Sequence, residues 1–110
     1  MRVELLYADG DPASMPARQN LVEVLTEDAF ETPIQMIAVS SAADAELLEM
    51  RGSPMVRIDG VDIDPGWDGP IGLAARAYAD EDGTAGPVPG KPLIRRAVER
   101  ARGWGHGGRG

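Results

Sequence analysis

Cysteine is absent from this 110-residue chain. That absence excludes disulfides, thiolate metal sites, thiol–disulfide exchange and cysteine nucleophiles together. Histidine occurs once, as His106 in a glycine-rich end, so no histidine spacing makes a zinc site. Aromatic residues are 5% of the chain, and no apolar run approaches the roughly 18 residues of a membrane span. Positive charge is also scarce. The net charge of −7 excludes bulk electrostatic binding to nucleic acid, whose phosphates would repel such a chain. No basic segment followed by a long apolar stretch opens the sequence, so no secretory signal is expected and the expected compartment is the cytoplasm.

What is present suffices for one core. A hydrophobic fraction of 43% over this length fits a single domain, placed at residues 1–102, with a Gly-rich tail at 103–110 expected to be disordered. Lys91, Arg95, Arg96, Arg100, Arg102 and Arg109 face only Glu99 near the C-terminus. That excess reads as a solvated helix face complementing the helix dipole, and contact with an anionic partner is the other reading.

Hydrophobic patterning predicts a buried strand over 3–7 and a helix over about 12–27 carrying Leu21, Val22 and Leu25. A second strand follows over 34–39. A short helix over 42–50 is expected next, capped by Ser40 or Ser41, burying Leu47 and Leu48 and closed by Gly52. Two runs rich in β-branched residues then flank Asp59-Gly60, the sharpest local signal in the chain and a type I′ hairpin turn. Pro54 directly precedes the first of these strands, where it either begins the strand or forms a cis bond. Residues 64–70 read as a loop, 71–78 as weakly extended, 80–90 as a polar loop and 92–101 as the last helix. The resulting order, β-α-β-α-β-β-α, predicts an α/β fold: a four-stranded mixed sheet flanked by about three helices, its first two strands parallel.

That order, with a proline opening the third strand, resembles the thioredoxin fold. The closer resemblance is to small bacterial thioredoxin-like, glutaredoxin-like proteins associated with alkylmercury lyase and thiol-reactive metal resistance. It rests on Leu5-Leu6-Tyr7-Ala8-Asp9-Gly10-Asp11-Pro12, on Gly52-Ser53-Pro54-Met55-Val56-Arg57-Ile58-Asp59-Gly60 with Asp62-Ile63-Asp64-Pro65, and on Gly72 to Tyr78. The resemblance implies the fold and a surface made by the helix 1 N-terminus and the Ser53-Pro54 turn. The chain departs from the family where it matters for chemistry: Asp11 and Ala75 stand where cysteines are usual, and Asp11-Pro12-Ala13-Ser14 replaces Cys-Pro-x-Cys.

Asp11 either caps a helix or offers a free carboxylate as an acid, base or cation ligand. Ser14 stands at the second cysteine position without a base to activate it. Ser53 and Pro54 could expose backbone groups to an extended ligand, since strand addition needs no thiol. Arg57, Arg76 and Tyr78 could form an anion-binding group. Trp67, set among glycines and proline, is either an exposed anchor or a lid on the core edge. Asp59, Asp62 and Asp64 lack the EF-hand pattern. The expected function is therefore recognition: a redox-inactive thioredoxin-fold protein binding a peptide or small ligand at Asp11, Pro12, Ser14, Ser53 and Pro54. The alternatives are a non-thiol enzyme using Asp11 as acid or base, and a structural subunit, for instance of a homodimer, with contacts on the edge strand and Trp67. No cofactor, metal, nucleic acid or membrane partner is expected.

Overall fold

The computed structural model describes residues 1–27, 32–79 and 82–103. Its centre is a four-stranded mixed sheet of order β2-β1-β4-β5, built from β1 (Val3–Ala8), β2 (Ile34–Val39), β4 (Met55–Ile58) and β5 (Val61–Asp62). The helices are α1 (Ser14–Glu27), α2 (Ala42–Leu47) and α3 (Lys91–Ala101). β1 runs parallel to β2 in unbroken register from Val3↔Ile34 to Ala8↔Val39, and antiparallel to β4. β1 is thus central, and its two faces are buried in separate clusters, which explains its near-continuous apolar sequence.

Alternation along the strands divides the interior in two. Val3 and Leu5 of β1 and Val56 and Ile58 of β4 meet Leu21, Val24 and Leu25 of α1 and Ile94, Ala97 and Val98 of α3. On the opposite face Leu6, Val39, Ala45, Met50 and Met55 form a smaller cluster. The β4–β5 hairpin closes through Asp59 (φ 52°) and Gly60 (φ 83°), the two left-handed residues a type I′ turn requires. The Asp59 carboxylate accepts the Arg2 backbone N–H at 2.7 Å, tying the turn to the start of β1.

Several sequence expectations need correction. α1 begins at Ser14 and not at Pro12, because Asp11 accepts the Ala13 N–H at 2.9 Å and forms a turn ahead of the helix. Pro16 then lies in the first turn, where its missing N–H has no intrahelical partner to lose. α2 ends at Leu47 and not at Met50: Ser41 caps it, and Glu49 takes the left-handed conformation (φ 54°) that turns the chain. Ala45 is its buried residue, while Leu47 is 82% exposed. Gly52 does not close the helix. It belongs to β3 (Arg51–Ser53), pairing in parallel with β6 (Gly72–Ala75). β6 falls within 71–78, read as extended, whereas β8 (Ala85–Gly86), which pairs β7 (Tyr78–Ala79), lies in the 80–90 stretch expected to be loop. Of the tail expected at 103–110, residues 104–110 lie outside the described residues. No helix among the described residues is long and apolar enough to cross a membrane.

Candidate functional site

The turn after β1, the start of α1 and the Ser53-Pro54 turn do come together, and the Ser53-Pro54 bond is cis. Their polar groups bond one another. Asp11 Oδ1 takes the Ala13 N–H, and Asp11 Oδ2 accepts the Ser53 hydroxyl at 2.5 Å. The same Ser53 oxygen accepts the Ala8 N–H at 2.8 Å. The Ser14 hydroxyl donates to the Asp11 carbonyl at 2.9 Å. Asp11 therefore clasps the helix start to β3 while capping the turn, so both oxygens have partners inside the chain. Ser14, Ser53 and Pro54 are buried, Asp11 is half-buried and Pro12 is exposed.

The backbone expected to receive an extended ligand is also occupied. The Ser53 carbonyl accepts the Arg76 N–H at 3.0 Å, and Ser53 sits in register with Ala75 of β6. The Pro54 carbonyl accepts the Tyr78 hydroxyl at 2.5 Å. β6 and the residues that follow it to Tyr78 thus lie along the turn, supplied by the chain itself. Burial pushes the Tyr78 hydroxyl well above its ordinary value of 10.0, against the opposing pull of the Arg76 guanidinium.

Arg76, expected at an anion site, points inward and is 1% exposed. Its Nη1 donates to Arg51 O at 2.9 Å and Asp62 Oδ2 at 2.8 Å; its Nη2 donates to Asp62 Oδ1 and Asp64 O, both at 2.8 Å. The guanidinium carbon lies 4.8 Å from the Trp67 ring centre and 5.0 Å from that of Tyr78. A planar cation between two rings with a bidentate carboxylate is the geometry arginine satisfies and lysine does not. Gly52 and Gly69 admit the Trp67 ring: a Cβ would stand 2.9 Å from Trp67 Cη2 at Gly52 and 1.9 Å at Gly69. Trp67 is therefore the lid of its two readings.

Arg57 stands apart from this stack. It donates to Leu48 O at 2.8 Å and lies 3.5 Å from Glu4, its register neighbour on β1. Asp62, considered at the sequence level among acids that lack a calcium-site pattern, is the anchor of Arg76. The wide i-to-j separation of that pair leaves no local pattern to find it by; the glycines flanking Trp67 are the only nearby signal of close packing. Among the described residues no group of three His, Asp or Glu gathers as a metal site. Comparison with family models, curated proteins and solved structures finds no match to this chain.

Proposed function

We propose that this chain is a thioredoxin-like protein without thiol chemistry that acts by association, and that its contact surface is the outer edge of β2, paired with a second copy. The observation carrying this reading is the strand itself. β2 is six residues long, Ile-Gln-Met-Ile-Ala-Val, and stands at the end of the sheet. Among the described residues no strand pairs with its outer side. Exposed edges of this kind are ordinarily blunted by charge, proline or a bulge, and β2 contains none of the three. The Ser53-Pro54 turn is a weaker candidate for a peptide, because Arg76 and Tyr78 already occupy its carbonyls.

A second copy suits the edge because the strand is neutral within a chain of net charge −7. An antiparallel pairing centred on Met36 sets Gln35 against Ile37 and Ile34 against Ala38, with no like charges opposed. Sedimentation equilibrium tests this. The wild-type chain is expected to dimerise, and Gln35→Lys with Ala38→Lys, both at exposed positions, is expected to give a folded monomer. A monomeric wild type, or a dimer that survives both lysines, overturns the reading.

A further inference from the structure

On the face of the sheet opposite α1 and α3, the end of α2 and the β4–β5 hairpin bound a polar cleft of about 230 Å³. It is lined by Glu49, Arg51, Arg57 and Asp62, with Met55 and Pro65 supplying apolar wall. Pockets for drug-sized ligands run to ~300–1,000 Å³, so this one is limited to a molecule of few heavy atoms.

The charges of the cleft do not all cancel internally. Asp62 is held by Arg76, and Arg57 lies against Glu4. Arg51 and Glu49 remain. Arg51 is fixed at its Nε, which donates to Gly69 O at 3.1 Å, and by its backbone N–H on Met55 Sδ. Its two terminal nitrogens have no hydrogen-bond partner among the described residues. Glu49 has no ion-pair partner there either, and the residue is exposed. Its backbone holds φ at 54°, a conformation glycine takes without cost and a glutamate does not. One unpaired cation and one unpaired anion thus share a small cleft, beside an apolar wall.

We propose that this cleft binds a free α-amino acid with a small apolar side chain. Its carboxylate meets Arg51, its ammonium meets Glu49, and its side chain lies against Met55 and Pro65. Charge-assisted hydrogen bonds at both ends supply the recognition, and a ligand lacking either end forfeits one of them. The site is separate from the β2 edge and does not depend on dimerisation.

The probes are L-valine, isovalerate, which lacks the amine, and isobutylamine, which lacks the carboxylate. Binding is read from the Arg51 and Arg57 side-chain N–H signals in ¹⁵N-labelled protein. L-Valine is expected to shift those signals at millimolar concentration, with each analogue weaker by about tenfold. Glu49→Gly relieves the left-handed strain, so it is expected to raise the melting temperature while lowering valine affinity to that of isovalerate. Arg51→Gln, in a protein that still melts cooperatively, is expected to remove the preference for valine over isobutylamine. Absence of any shift with valine overturns the proposal. Equal binding of valine and isovalerate by the wild type, or a valine preference that survives Glu49→Gly, overturns it as well.

Discussion

The two faces of the central sheet are covered by opposite means. Among the described residues, the cluster that α1 and α3 form with the sheet holds twelve buried apolar residues, with no charge among them. The other face has five, and beyond them the buried interior is completed by a guanidinium stacked between Trp67 and Tyr78. The first face is held by area removed from water, a contribution that is non-directional and shared among many residues. The second depends on a few directional bonds converging on Arg76, from β3, β5 and the loop at Asp64. A short α2 and three-residue β3 offer too little apolar surface there, and the arginine stack closes what they leave open. The comparison predicts that the apolar face yields gradually to substitution, whereas the polar face fails at one residue.

Removing Arg76 is the strongest way to break it. Arg76→Ala strands the Asp62 carboxylate, whose side chain is 12% exposed, and opens a space between two rings; a loss of ~3–5 kcal/mol is expected. Leu21→Ala, at the fully buried centre of the apolar face, is expected to cost ~2–5 kcal/mol. Urea unfolding measures both. The discriminating variant replaces the pair by hydrocarbon, Arg76→Met with Asp62→Leu. If burial alone mattered, that exchange would be near neutral. The carbonyls of Arg51 and Asp64 would still lose their donors, so a residual cost of ~2 kcal/mol or more is expected. Recovery of full wild-type stability would show that this face is held by hydrophobic area as well.

The same contrast decides what the sequence discloses. β2, the Asp59-Gly60 turn and α3 are legible because periodicity and turn chemistry act within a few residues. The apolar face follows from them. Arg76 reads from sequence as a candidate anion ligand and not as a buried anchor, since the residues that bury it, Asp62, Trp67 and Tyr78, converge only after β6 returns beside β3. The end of α2 differs for a related reason: local preference gives the helix-closing position to Gly52, but Glu49 takes it with φ 54°, and Gly52, also left-handed at φ 81°, lies in β3 against the Trp67 ring. At the candidate site, Asp11 is legible as a cap. Its second bond, to Ser53, spans 42 positions and is not.

Tyr78 sharpens the comparison at intermediate magnitude. Its hydroxyl is the bond between the arginine stack and the Pro54 carbonyl. Tyr78→Phe keeps the ring beside Arg76 and leaves that carbonyl without its donor, for an expected loss of ~1–2 kcal/mol. pH separates the hydroxyl from the ring. Burial raises the folded-state pKa above the unfolded value. The folded state therefore holds the proton more tightly, and this contribution is whole below about pH 10 and is lost as pH rises beyond it. Wild-type stability is expected to fall more steeply than that of Tyr78→Phe above that pH. Parallel curves would mean that the hydroxyl is not buried as described.

Asp11, where the polar face meets the start of α1, gives an effect no larger than that of Tyr78. Asp11→Ala removes the acceptor for Ala13 N–H and for the Ser53 hydroxyl together, and an expected loss of ~1–2 kcal/mol follows from cap and buried hydrogen bond. Ser53→Ala removes the same contact from the other side and also frees the Ala8 N–H. In a double-mutant cycle the two losses are expected to fall short of additivity by ~1 kcal/mol, because the contact they share can be lost only once. A catalytic or ligand-holding Asp11 would instead be free of Ser53, and the two substitutions would add. Asp11→Asn separates charge from shape: its amide oxygen can still accept one of the two hydrogen bonds, so stability is expected to lie between that of the wild type and of Asp11→Ala. Full wild-type stability in Asp11→Asn would show that the carboxylate's charge contributes nothing to the clasp, and would leave the hydrogen-bond geometry alone as what joins β1, α1 and β3.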